Sequence, residues 1–174
     1  MTEQDKQIVD DMNIKGVLKI VTKSNETGEI LDTFEDNNVV LTVGKEQILK
    51  AMTVLDTNIH RVKTLKIGND VGSTGTVLDP DDATADLTEA AQNPLYEVPD
   101  SAFFVTYPSV NSVRFNASLN GVDVMSNYPT LPNIIYTSAV LYTFGGTGVA
   151  YRRFPARTIS SLISVDITWT LTIL

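Results

Sequence analysis

Apolar and polar residues alternate over most of this chain. Ile14, Gly16, Leu18, Ile20 and Thr22 fall on one side of a period-two pattern, and Lys15, Val17, Lys19, Val21 and Lys23 on the other. That spacing predicts a half-buried β-strand with a lysine-bearing face. Residues 24–28 supply turn chemistry, with Gly28 suited to a positive φ, and residues 29–34 answer as the antiparallel partner. After Asp36, Asn37 and Asn38 a separate short apolar strand is expected at 39–43. The period then becomes helical, with Ile48, Leu49, Met52 and Leu55 on one face of a helix that starts at Gly44. Glu46 and Lys50 stand four apart in the favourable order for an exposed helix pair. Residues 61–67 alternate basic and apolar positions and predict another strand.

The β pattern resumes at Ser101 and holds to the end of the chain. Strands are expected at 103–107, 112–119, 134–144, 149–154 and 164–173, with turns at Asn120–Gly121 and at residues 145–148. The last strand has Val165, Ile167, Trp169, Leu171 and Ile173 on one face and Asp166, Thr168, Thr170 and Thr172 on the other, the pattern of a strand inside a sheet. Around eight strands and one short helix predict a mainly β fold, an antiparallel β-sandwich with jelly-roll-like or Greek-key connections. Thr, Val and Ile make up close to a third of the chain, which fits that class.

Two stretches lie outside the alternation. Residues 1–13 are polar and charged with few apolar positions, and are expected to form an N-terminal arm that orders on a partner. Residues 68–100 carry three glycines, three prolines and seven acidic residues before Asp100. An irregular loop of that length in a compact domain is expected to serve function or contact, with a short helix at 84–91. Residues 14–174 then form a single domain, as expected for 174 residues and 19.0 kDa.

Charge and rare residues narrow the chemistry. There are 13 Lys and Arg against 21 Asp and Glu, a net charge of −8, so the overall field repels phosphate backbones and no nucleic-acid partner is expected. The chain has no cysteine, which removes disulfides, thiol nucleophiles and cysteine-ligated metals. No apolar run is long enough to span a bilayer and the N-terminus has no secretory pattern, so the expectation is synthesis in cytoplasm without a membrane partner.

Candidate chemistry is sparse. Asp70, Asp79, Asp81, Asp82, Asp86 and Glu89 offer hard oxygen ligands for a cation, but their spacing matches no calcium loop; a solvated acidic loop is the simpler reading, and no cofactor is expected. The Gly-rich residues 145–148 lack the Lys-Ser/Thr of a phosphate-binding loop and read as a hairpin turn. His60, Ser126 and Ser160 have no nucleophile motif around them. The aromatics Phe103, Phe104, Tyr107, Tyr136, Tyr142, Phe144, Tyr151 and Phe154 fall on strand periods, where packing is the simpler reading and a sugar-stacking surface the alternative. Arg152, Arg153 and Arg157 flank Phe154 and Pro155 as the one basic cluster. In an acidic homo-oligomer, Arg152, Arg153, Phe154 and Arg157 are suited to meet Asp79, Asp81, Asp82 and Asp86 of a neighbour as an assembly interface; the simpler reading is a charged strand end facing water.

Several blocks in this order resemble a known group: residues 16–52 with an N-x-V-x-x-x-G-x-x-x-I turn from Asn38 to Ile48, IGND at 67–70, RFNASL at 114–119, and residues 136–174. In that closing block an aromatic strand, a Gly turn, an Arg-Phe pair and a D-I-T-W-T-L-T-I strand follow one another. The chain from 14 to 174 is similar to small virion structural proteins of tailed bacteriophages, the β-sandwich subunits of neck, collar, tail or baseplate. The acidic middle insertion departs from that pattern. The resemblance implies a non-enzymatic subunit, repeated around the particle and assembled in host cytoplasm. Its implied partners are copies of itself and other virion proteins, with fibre anchoring as a further role. A capsid decoration protein or fibre-base adaptor is the alternative. A carbohydrate-binding receptor module, tested by substituting Tyr128 or Tyr151, is a third reading.

Overall fold

In a computed structural model, residue 7 and residues 13–53, 58–69 and 95–174 are described. β1 (Ile14–Ser24) and β2 (Ile30–Val40) form the opening hairpin, with Leu18 opposite Asp36 and Ile20 opposite Phe34. In its turn Gly28 takes a φ of 72° and donates its N–H to the Ser24 carbonyl at 2.9 Å, a backbone state that glycine adopts at little cost. β2 is longer than its alternation predicts. It runs through Asp36, Asn37 and Asn38 to Val40, so there is neither a break at 36–38 nor a separate strand at 39–43. Poor strand formers are held in place by an uninterrupted ladder to β1, which outweighs their intrinsic preference.

The helix α1 (Thr42–Thr53) begins two residues before Gly44, with Lys45 N–H donating to the Leu41 carbonyl at 3.0 Å. Gly44 lies in its first turn, where a Cβ would come within 2.1 Å of the Val149 carbonyl oxygen. The glycine is therefore a packing requirement and not a start signal. The Glu46–Lys50 pair forms at 3.9 Å. Leu55, the arm at 1–6 and 8–12, the stretch 70–94 and the short helix expected at 84–91 lie outside the described residues.

Seven further strands follow: β3 (Val62–Gly68), β4 (Tyr96–Glu97), β5 (Phe103–Ser109), β6 (Ser112–Leu119), β7 (Ile134–Thr143), β8 (Gly148–Ile159) and β9 (Ile163–Ile173). This makes nine strands among the described residues, where about eight are predicted. All pairings are antiparallel, in the order β4-β3-β7-β8-β2-β1-β9-β6-β5. The array folds into two sheets, β2-β1-β9-β6-β5 and β8-β7-β3-β4, joined where the end of β2 pairs with β8 through Val39 and Val40. The protein is a mostly antiparallel β-sandwich, with one helix of several turns among the described residues.

Inward-facing residues of both sheets build the core. Leu18, Ile20, Val165, Ile167 and Trp169 come from one sheet and Leu65, Ile67, Ala139, Leu141 and Phe154 from the other, each at most 1% exposed. β9 lies between β1 and β6, and its alternate residues Val165, Ile167, Trp169 and Leu171 are buried as the pattern predicts.

Where a turn is predicted at Asn120–Gly121, the chain forms a short helix, α2 (Gly121–Met125). The Asn120 side chain accepts from Val122 N–H at 2.9 Å, an N-cap that turns the expected hairpin into a helix start. Gly121 packs where β8 turns into β9, and a Cβ there would lie 2.0 Å from the carbonyl oxygens of both Ser160 and Ile163. Gly121→Ala should lower stability by about 2–3 kcal/mol, because backbone cannot yield as a flexible side chain does. Val122→Ala on the exposed side of the same helix should change it by no more than about 0.5 kcal/mol. Urea unfolding midpoints of the two variants check the contrast.

Candidate interaction surface

The predicted basic cluster sits on β8, the strand next to the seam between the sheets. β2 and β8 pair only at Val39 with Tyr151 and Val40 with Ala150. Beyond these two pairs side chains connect the strands. Arg152 Nη2 reaches Asp36 Oδ2 at 2.5 Å, and Arg157 pairs with Asp32. The Arg157 guanidinium lies 5.2 Å from the centre of the Phe34 ring, and Phe34 packs on Phe154 with ring centres 5.8 Å apart. Tyr136 meets Phe154 edge-on at 5.6 Å.

This overturns the picture of an exposed basic strand end. The Arg152 side chain is 2% exposed, Phe154 is core, and Arg153 is half-buried. β8 is covered on both faces over residues 148–152, so alternation no longer separates an inner from an outer side there. The predicted acidic partners Asp79, Asp81, Asp82 and Asp86 lie outside the described residues. The acids that meet Arg152 and Arg157 are Asp36 and Asp32 of the opening hairpin. Nothing local in the sequence marks them, because their partners lie 116 and 125 residues away.

The aromatics divide in the same way. Tyr136, Tyr142, Tyr151 and Phe154 are buried, and the Tyr128 hydroxyl donates to the Leu95 carbonyl. Tyr151 therefore presents no ring to a sugar, and Tyr128 is half-buried. Phe104, Tyr107 and Phe144 remain exposed at separate places. Phe104 borders a shallow depression on the outer sheet face with Asn116, Ser118, Asp166 and Thr168, whereas Tyr107 lines an apolar cleft. Lys63 Nζ lies 5.7 Å from the centre of the Phe144 ring. These three rings do not form one stacking platform.

That cleft, of about 240 Å³, opens at one end of the sandwich. The β5–β6 hairpin forms one wall through Tyr107, Val110 and Val113, and Ile48, Val62 and Val149 form the opposing one. β5 is an edge strand with six of its seven residues exposed. Phe104, Tyr107 and Val110 keep more than half of their surface in solvent. An uncharged apolar edge of this kind offers unpaired backbone groups together with hydrophobic contact. This edge is a surface suited to binding another polypeptide.

Titratable chemistry is thin. His60 Nδ1 lies 2.6 Å from Gln47 Oε1, which ties the short 3₁₀ turn Asn58–His60 to α1. Among the described residues no three His, Asp or Glu side chains gather as metal ligands, and no helix is long and apolar enough to cross a membrane. The Tyr136 phenol is pushed well above its ordinary value, first by burial; Arg157 opposes the shift and Asp32 adds to it. No family model, curated protein or solved structure matches this chain.

Two measurements test the seam. Asp36→Asn should cost about 2–3 kcal/mol, since the guanidinium it leaves behind is almost fully enclosed. Asp32→Asn should cost about 1 kcal/mol, its carboxylate being more than half exposed. Equal losses would refute the burial argument. For Tyr136 the folded value is raised, so the stabilising effect of the neutral phenol is complete below about pH 10 and falls above it. Up to about 1.4 kcal/mol per pH unit is lost through this group. Tyr136→Phe should lose less stability than the parent between pH 10 and 11, read from urea midpoints at each pH.

Proposed function

We propose that this chain is a non-enzymatic structural subunit of a tailed-bacteriophage particle. It is repeated in the neck, collar or tail region and packs against its own copies and neighbouring virion proteins. Two things support the reading. Residues 14–174 resemble small virion subunits in the order of their blocks. The observation that carries it further is the exposed β5–β6 hairpin, whose apolar residues suit contact with protein better than the binding of a polar small molecule. A β-sandwich suits repetition, since closed symmetry lets each copy cover the edges of the next.

The purified full chain should scatter light as a stable multiple of 19.0 kDa across a concentration series. Deleting residues 1–12 should leave the urea midpoint unchanged and lower the multiple, as expected for an arm that orders on a partner. A strict monomer at every concentration would overturn the self-assembling subunit.

A further inference from the structure

The two edges of the hydrogen-bonded array are handled differently. At one end β4 is two residues long and carries Glu97, so it is too short and too charged to template another strand. At the other end β5 is seven residues long with no charged side chain. Pro108 and the register shift between Thr106 and Ser109 blunt only its far half. Phe103 to Thr106 pair regularly with β6, and among the described residues no strand lies on their outer side. Phe104 and Val105 are 55% and 38% exposed there.

Charge selects the occupant. Two copies of a chain with net charge −8 repel each other over most of their surfaces. From Ser101 to Asn120, however, the sequence has no acidic residue and only one base, Arg114. The β5–β6 hairpin is thus a long stretch where two acidic copies meet without like-charge repulsion. We propose that β5 is a homotypic edge: two copies pair β5 with β5, antiparallel about a twofold axis, and continue the sheet β2-β1-β9-β6-β5 through the interface. The axis stands perpendicular to the sheet, because only then do the apolar inner faces of both copies stay on the same side. With that axis one residue of β5 stands opposite itself, and aromatic and β-branched side chains on either side of it form cross-strand pairs.

This inference rests on the reading of a repeated subunit and names the surface by which copies meet. The absence of cysteine makes the test direct, since a single introduced thiol forms a disulfide only between copies. Directly opposed residues in an antiparallel pair bring their Cα atoms to about 4.5–5.5 Å, within disulfide reach. Phe104→Cys, Val105→Cys and Thr106→Cys, each in the full chain, are oxidised at low micromolar concentration beside Glu26→Cys in the exposed β1–β2 turn. One of the three should form dimer at least about tenfold faster than Glu26→Cys. Placing an acid next to the thiol, Thr106→Asp with Val105→Cys or Val105→Asp with Phe104→Cys or Thr106→Cys, should abolish that advantage, because the carboxylates of the two copies then stand diagonally about 7–8 Å apart across the ladder. Unchanged far-ultraviolet circular dichroism confirms that each variant is folded.

If none of the three exceeds Glu26→Cys while light scattering still gives a multiple of 19.0 kDa, the β5 edge is wrong and the repeated-subunit reading stands. A monomer without β5 crosslinks overturns both. A β5-linked dimer that never grows larger upholds the edge pairing and removes the ring-forming subunit.

Discussion

The sandwich depends on one strand that belongs to two sheets. β2 pairs with β1 from Ile30 to Asn38, with one register shift near the turn, and its last two residues pair with β8, so strand pairing passes from one layer to the other. To enclose a core, the two strands must separate below Val39. Separation takes away ladder partners that buried backbone groups require. The gap is filled instead by Phe34 against Phe154, and by two arginines of β8 holding two aspartates of β2. Burying Arg152 carries a desolvation cost of several kcal/mol, which only a well-placed partner offsets. The ion pairs therefore act less as an added source of stability than as a condition for β8 to be buried on both faces.

Around this seam the other parts have clear tasks. α1 follows directly from β2 and rests on the Val149 carbonyl of β8, so the helix closes the corner where the sheets diverge. α2 closes another corner, where β8 turns into β9. Both contacts require a glycine because backbone approaches backbone, and neither glycine is used for a left-handed conformation. The outer face of the β1 sheet is held by exposed pairs, Lys19 with Glu35 at 3.3 Å and Lys23 with Asp166 at 2.5 Å. These contribute little stability individually and mainly keep that face wet.

The functional reading follows from which surfaces are left over. Acidic side chains outnumber basic ones over the chain as a whole, while the β5–β6 hairpin is free of acids and rich in apolar residues. Apart from Phe103, which packs against the core, β5 is exposed along its length. The apolar cleft beneath is continuous with the core through Phe115 and Leu171. An edge joined in this way to the core is backed by close packing, so a polypeptide docked on it would meet a rigid surface.

The strands and their faces were legible because burial on one side of a sheet imposes a period of two on neighbouring residues. β1 and β9 show this period: Gly16, Leu18, Ile20 and Thr22 of the one and Val165, Ile167, Trp169 and Leu171 of the other are buried as predicted, while Ile14 is half-buried and Ile173 is exposed at the strand ends. The same rule failed where burial is not one-sided. Over residues 148–152 of β8 both faces are covered, so Arg152 gave no sign that it lies inside, and the basic cluster read as surface. It failed again at residues 36–38, where a turn-like composition is held in a strand by its neighbours. What the sequence determined by itself is the alternating pattern, the antiparallel β class and the acid-free hairpin, all properties of residues close together in the chain. Only the tertiary structure decided that Asp32 and Asp36 face Arg157 and Arg152, and that β5 is left at an edge. Charge compensation and strand order join residues more than a hundred positions apart, and no local period records such distances.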